Sequence, residues 1–187
     1  MTTFTVGYLV GSLSSTSINR RLAKALERVA PEGIELVEIP IAGLPFYSPD
    51  LDADYPQVAR DFKAAIDRVD GILFVTPEYS RSLPGVLKNA IDVGTRPYGQ
   101  NSFTGKPSAV IGTSGGPIGA AVVQQHLKTI LAHFNAPQMG QPEGFIQSTP
   151  GLFLEDGEIT NEGTADFLRS YLVAFRDLIA LHARQAA

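Results

Sequence analysis

Two runs in this chain, FTVGYLV (Phe4–Val10) and GILFVT (Gly71–Thr76), are apolar at nearly every position. A strand with one face in water alternates apolar and polar residues. A run with no polar face belongs to a strand buried on both sides, as in a parallel sheet sandwiched between helices. What lies between such runs must then be crossover helices, and the spacing agrees. Ile18, Leu22, Leu26 and Val29 recur at helical period, with Arg20, Arg21, Lys24 and Glu27 between them. IELVEIP reads as a second strand, and a long Pro- and Asp-rich connection leads to a helix over Gln57–Val69. A helix over Pro84–Ile91 has Pro84 in its first turn, where the missing N–H costs nothing. PSAVIGTS (Pro107–Ser114) is the fourth strand, followed by a helix carrying Val123, Leu127, Ile130, Leu131 and Phe134 on one face. A fifth strand falls near Gly144–Gln147, a hairpin turn at Asp156–Gly157, and a last amphipathic helix carries Leu168, Tyr171, Leu172, Phe175 and Ile179.

Strands alternating with helices predict an open parallel α/β sheet covered on both faces. With no repeat, low-complexity tract or linker, residues 1–187 are expected to form one domain. No apolar run approaches the ~20 residues of a membrane span, and MTTFTV does not read as a signal peptide, so a cytoplasmic location is expected. A net charge of −4 gives no basic face for nucleic acid or anionic lipid. The chain has no cysteine. That excludes thiolate metal ligands, iron–sulfur clusters and every cysteine nucleophile, including that of tyrosine-phosphatase-type phosphate loops. His126, His133 and His182 lie on predicted helices without a carboxylate pattern beside them, so no metal is expected.

In such a sheet ligands sit beyond the carboxyl ends of the strands, where strand order reverses. The loops leaving strands one, three and four are all unusual. The first, GSLSSTSIN, places five hydroxyl residues, Ser12, Ser14, Ser15, Thr16 and Ser17, between Gly11 and the helix beginning at Ile18 and Asn19. A plain turn needs one cap, for which Ser17 suffices. The surplus suits a phosphate held by helix N–H groups and hydroxyl donors. The loop lacks both the GxGxxG of dinucleotide folds and the GKS/T of triphosphatases, which leaves a terminal monophosphate. The second, TPEYSRSLPG, holds Tyr79 between Pro77 and Pro84, available to stack on a flat ring. Its Glu78 is either a general acid or a residue that positions the loop. In the third, GTSGGPIGA, the four glycines Gly112, Gly115, Gly116 and Gly119 around Thr113 and Ser114 exceed what a turn needs and suggest a ligand edge read by backbone amides. A phosphate at one end and a planar ring at the other describe FMN.

GSLSSTSINRRLA, PEYSRSLPGVLKNAID and GTSGG together resemble the NADPH-dependent FMN reductase family, in particular its quinone- and chromate-reducing branch. The resemblance spans nearly the whole chain. It implies a flavodoxin-like three-layer sandwich, a five-stranded parallel sheet of order 2-1-3-4-5, and non-covalent FMN. It further implies ping-pong hydride transfer from NADPH or NADH and delivery of electrons to quinones, free flavin, chromate or other small acceptors. Residue by residue it assigns Gly11, Ser12, Ser14, Ser17, Ile18 and Asn19 to the phosphate loop. Pro77, Glu78, Tyr79 and Ser80 would line the ring, and Thr113, Ser114, Gly115 and Gly116 its pyrimidine side. Arg81 and Arg96 are candidates for the nicotinamide nucleotide, no side chain acts as nucleophile, and a homodimer or homotetramer is expected with Arg96–Ser102 near its interface. This chain has Ser14 where the family commonly has arginine, which leaves charge at the loop to Arg20, and Ser80 where it commonly has asparagine. The rival from another class is a flavodoxin-type electron carrier, which binds FMN but does not react with NAD(P)H.

Overall fold

The computed structural model describes residues 2–186. Its single sheet has five parallel strands, β1 (Phe4–Val10), β2 (Ile34–Glu38), β3 (Gly71–Val75), β4 (Ser108–Ser114) and β5 (Gly144–Gln147), in the order β2-β1-β3-β4-β5. Five helices connect them: α1 (Ile18–Arg28), α2 (Gln57–Asp67), α3 (Gly85–Thr95), α4 (Ala121–His133) and α5 (Glu162–Ala186). A short 3-10 helix, Pro49–Asp54, occupies the connection after β2.

The period-two alternation of strand side chains divides the core into two slabs. Val6, Tyr8 and Val10 of β1, Leu73 and Val75 of β3, and Ala109 and Ile111 of β4 face α1 and α5. Leu9, Ile72, Phe74 and Val110 point the other way, against Phe62 and Ile66 of α2, Leu87 and Ile91 of α3, and Leu127 and Leu131 of α4. Both slabs are built of apolar side chains, so the central strands are apolar along most of both faces. This is the flavodoxin-like sandwich that the resemblance implies.

Several predicted ends move. Helix α2 stops at Asp67, before the expected Val69, because the chain must turn so that Asp70 N–H can reach Thr5 C=O at 2.7 Å and start β3 in register. Pro84 precedes α3 and does not lie within it; its carbonyl accepts from the N–H groups of Leu87 and Lys88, each at 3.0 Å. The helix then runs on to Thr95, past the expected Ile91. β4 starts at Ser108, one residue after Pro107. The turn at Asp156–Gly157 is a hairpin as expected, closed by an antiparallel bridge between Phe153 and Ile159. It lies on α1, with Lys24 Nζ donating to Glu155 C=O at 2.8 Å.

Candidate active site at the carboxyl edge of the sheet

The first loop leaves β1, which lies between β2 and β3, at the point where strand order reverses. Ser17 is the N-cap of α1: its Oγ accepts from Arg20 N–H at 3.2 Å, which leaves its own hydroxyl hydrogen free to point outward. Ser14 organises the loop, accepting Thr16 N–H through Oγ and Ser17 N–H through its carbonyl. Ser12 is buried and its Oγ accepts Ser14 N–H at 3.4 Å. The N–H groups of Ser12, Leu13, Ser15, Ile18 and Asn19 find no acceptor among the described residues. Such a concentration of unpaired donors at the positive end of an α-helix is a site for an anion.

Arg20 does not supply the charge expected of it. Its Nη1 is bound to both carboxylate oxygens of Glu38 at the end of β2, at 2.9 and 3.0 Å. The Asn19 side chain does not serve the loop either. Its Nδ2 donates to Thr113 C=O at 2.9 Å and its Oδ1 accepts from Thr113 N–H at 3.0 Å, with Asn19 1% and Thr113 0% exposed.

In the second loop Glu78 is a positioning residue. Its Oε2 accepts from Val122 N–H at 3.0 Å and Val123 N–H at 3.3 Å. Those are first-turn donors of α4, whose own N-cap, Ala120, has no side chain to offer. The other oxygen pairs with Arg81 at 3.2 Å. Tyr79 is half exposed, and the chain then turns back through Ser80 and Arg81, both left-handed (φ 49° and 64°), to a bridge between Tyr79 and Ser82. Ser82 Oγ lies 3.0 Å from His126 Nδ1.

The glycines of the third loop divide by role, which corrects the reading of all four as ligand contacts. A Cβ on Gly112 would collide with the carbonyl of Thr76, and one on Gly119 (φ 60°) with the backbone of Phe145 and Ile146. Those two are demanded by the chain's own packing. Nothing but Ser114 Oγ lies near Gly115 and Gly116, so these two face open space. Gly116 N–H is nevertheless taken by Ser114 Oγ at 3.0 Å, whereas Gly115 N–H has no acceptor among the described residues.

The three loops meet around a cleft of about 280 Å3 lined by Ser12, Ser14, Thr16, Ser17, Ile18, Asn19, Pro77, Glu78, Tyr79, Thr113, Ser114 and Gly115. Thr16, one of the five loop hydroxyls, lines it although the family resemblance does not assign it; Gly11, Ser80, Arg81 and Gly116 are outside the lining, within two residues of it in the chain. Arg96 belongs elsewhere. It stacks over the Tyr47 ring at 5.4 Å and borders a separate hollow with Tyr98, Asn101 and His133.

The sequence profile of the NADPH-dependent FMN reductases matches residues 4–150. The chain belongs to that family. It is 46% identical over 167 residues to a 2-hydroxy-1,4-benzoquinone reductase of a Burkholderia species, covering 89% of this chain and 91% of that one. It is 40% identical over 180 residues to a quinone reductase of Pseudomonas putida, covering 96% of each. Among solved structures it superimposes on FerB, a flavoenzyme NAD(P)H:(acceptor) oxidoreductase of Paracoccus denitrificans. The TM-score is 0.91 at 47% identity, over 96% of this chain and 98% of that one. As a member of this family the protein is an FMN-dependent, NAD(P)H-oxidising oxidoreductase.

The residues present fit that cofactor. Unpaired N–H groups at the start of α1 match its phosphate, and Tyr79 with the open Gly115 matches its ring. The two departures from the common family pattern both have local consequences. Ser14 replaces a cation with bonds internal to the loop, and Ser80 sits in a left-handed conformation that asparagine adopts more readily.

Proposed function

We propose that the protein is a quinone reductase in which the cleft at the carboxyl edge holds FMN with its phosphate on the α1 loop and its ring between Tyr79 and the β4 loop. The observation that carries this reading is the set of unpaired N–H groups at Ser12, Leu13, Ser15, Ile18 and Asn19. They are too many for a turn that merely caps a helix, and the two cations next in the chain, Arg20 and Arg21, are each paired with a glutamate. The names of the relatives, a benzoquinone reductase and a quinone reductase, support quinones as acceptors. Free flavin and chromate are acceptors of the same reach.

When bound, FMN supplies two-electron transfer between the nicotinamide and the acceptor. The chain's own residues bind and orient. Ser12 and Ser17 hydroxyls donate to the phosphate, while α1 offers its positive end. Pro77 and Tyr79 form a wall held in place by Glu78 on α4. The Gly115 N–H, at the end of β4, is directed to negative charge on the pyrimidine side, as in an oxyanion hole. No side chain acts as a nucleophile. Arg81, next to the cleft in the chain, is the candidate for a nucleotide 2′-phosphate; Arg96, stacked over Tyr47, lies outside this cleft.

A homodimer or homotetramer is part of this reading. Its support is an interface-like surface: Phe46 and Tyr98, 85% and 89% exposed, flank the Tyr47–Arg96 stack along the chain. Residues 1–187 act as one domain, and the work is placed in the cytoplasm, where NADPH and NADH are supplied. Among the described residues no helix is long and apolar enough to cross a membrane.

The test is anaerobic. The FMN-loaded protein is mixed with NADPH or NADH, the visible flavin absorbance is followed, and a benzoquinone is then added. Bleaching followed by recovery on quinone addition is the expected result, and the faster donor identifies the preferred nucleotide. Bound flavin that neither donor bleaches would refute the reductase reading in favour of an electron carrier.

A further inference from the structure

Asn19 lies one residue into α1, on the face that also carries Leu22, Ala23 and Leu26, all buried. An amide on an apolar face must find partners, and this one finds both on a single residue of another loop. The pairing β3–β4 ends at Val75↔Ile111, with Thr76 N–H still reaching Ile111 C=O at 3.0 Å. One step further along β4, on the side that β3 has just vacated, Thr113 presents an N–H and a C=O with no strand to receive them. The Asn19 amide accepts the first and donates to the second, as a neighbouring strand would. On its other side Thr113 Oγ1 donates to Ile146 C=O at 3.0 Å, extending the chain of bonds to β5.

We propose that Asn19 is a positioning residue that locks the phosphate loop and the β4 loop into one body, supporting both ends of the flavin equally. The inference rests on the FMN reading above, and it differs from the phosphate contact that the family resemblance suggests. At 1% exposure, with both ends of its amide engaged, the side chain has no surface left to offer a phosphate. What it fixes is the distance between the α1 donors and Gly115. A flavin that bridges the two loops gains from that fixed distance whether or not it carries a phosphate, because an unlocked site must be ordered on binding.

The experiment compares FMN with riboflavin, which lacks the phosphate. Affinities of both are measured by fluorescence quenching for the wild type, Asn19→Ala and Ser17→Ala, well below each protein's unfolding transition. Asn19→Ala is expected to weaken both flavins by a similar factor, about tenfold for two lost neutral hydrogen bonds. It should also alter the visible spectrum of bound riboflavin. Ser17→Ala is expected to weaken FMN more than riboflavin. If Asn19→Ala weakens FMN alone, the side chain serves the phosphate and the proposal is wrong. If it lowers thermal stability and leaves both affinities unchanged, its role is structural only and the proposal is equally wrong. Should Asn19→Ala fail to fold, the isosteric Asn19→Asp keeps the acceptor for Thr113 N–H and loses the donor. Riboflavin, being uncharged, must still bind it more weakly. A wild type that binds neither flavin would overturn the FMN reading itself, and this role with it.

Discussion

Replacing Glu78 with alanine removes the only side chain that caps α4 among the described residues. Its carboxylate is 9% exposed and accepts from Val122 and Val123 N–H through one oxygen. Ala120, in the left-handed region at φ 64°, has nothing to take its place. Loss of a capping acceptor costs about 1–2 kcal/mol, and loss of a negative charge at a helix N-terminus adds roughly 0.5 kcal/mol. The ion pair to Arg81 contributes little, because the arginine is largely exposed. Together these predict a loss of about 2 kcal/mol, equivalent to about 4–8 °C in Tm for a chain of this size. Glu78→Gln retains an acceptor oxygen without the charge and should lose about half as much. The assay is urea and thermal unfolding of the flavin-free protein, followed by the pH profile of NADPH oxidation in the loaded one. Loss of a residue that only caps lowers stability, and lowers FMN affinity through Pro77–Tyr79, but leaves the pH profile alone. Glu78→Ala within about 0.5 kcal/mol of wild type, or a Glu78→Gln profile that loses a limb, would refute the capping account; the second result would restore the general acid.

Four further outcomes are expected. The double variant Ser12→Ala, Ser17→Ala should lose FMN binding in equilibrium dialysis, and unchanged affinity would end the phosphate assignment. Ser80→Asn should stabilise the protein by roughly 0.5–1 kcal/mol in chemical denaturation, by relieving a non-glycine left-handed residue; a destabilised variant would contradict the turn geometry. Ser14→Arg should tighten FMN by up to about tenfold at low salt, with the gain fading as ionic strength rises; no gain would mean the loop cannot present a cation. On the alkaline side, burial raises the phenols of Tyr8, Tyr55 and Tyr171, Tyr55 to about 12, and each donates to an internal acceptor. Raised acids contribute stability that is whole below the unfolded value of about 10 and is lost as pH climbs through the folded values. Burial lowers Lys63 and Lys106, which act in the opposite sense and lower down, adding stability as pH rises toward their ordinary value of 10.5. The tyrosinate absorbance of these three phenols should therefore rise only together with loss of helical circular dichroism, and their ionisation near pH 10 with the fold intact would refute this.

The central strands were legible because they are buried on both faces, and burial on both faces leaves a nearly uninterrupted apolar run in the sequence. The ends were less so, since they depend on partners outside the element. Asp67 ends α2 because Asp70 must bond to Thr5, sixty-five residues away, and no local pattern encodes that. The site was legible where loop composition exceeded structural need, as in the hydroxyls of Ser12–Ser17. It misled where one residue type serves two purposes. Gly112 and Gly119 look like Gly115 and Gly116 in sequence, yet the first pair admits the backbones of Thr76 and β5, and only the second faces open space. Two signals went unused. An asparagine on the apolar face of α1 needs a buried partner, and a helix whose N-cap is Ala120 needs an acceptor from elsewhere. Followed up, these lead to Thr113 and to Glu78.

Those two contacts give the site its character. Among the described residues the cations of α1 nearest the loop are all engaged: Arg20 is held by Glu38, Arg21 pairs with Glu155 at 3.6 Å, and Lys24 is spent on the Glu155 carbonyl. The loop's attraction must come from N–H groups whose direction is fixed by the backbone. A lysine side chain can swing to follow a misplaced phosphate, but an amide cannot. A site built on amides therefore depends on how firmly its loops are held. Here the holding is done from outside each loop, by Asn19 from α1 on the end of β4 and by Glu78 from the β3 loop on the start of α4. On the proposed reading, Asn19 and Glu78 act on cofactor affinity through the backbone they hold, Asn19 through Thr113 and Glu78 through Val122 and Val123.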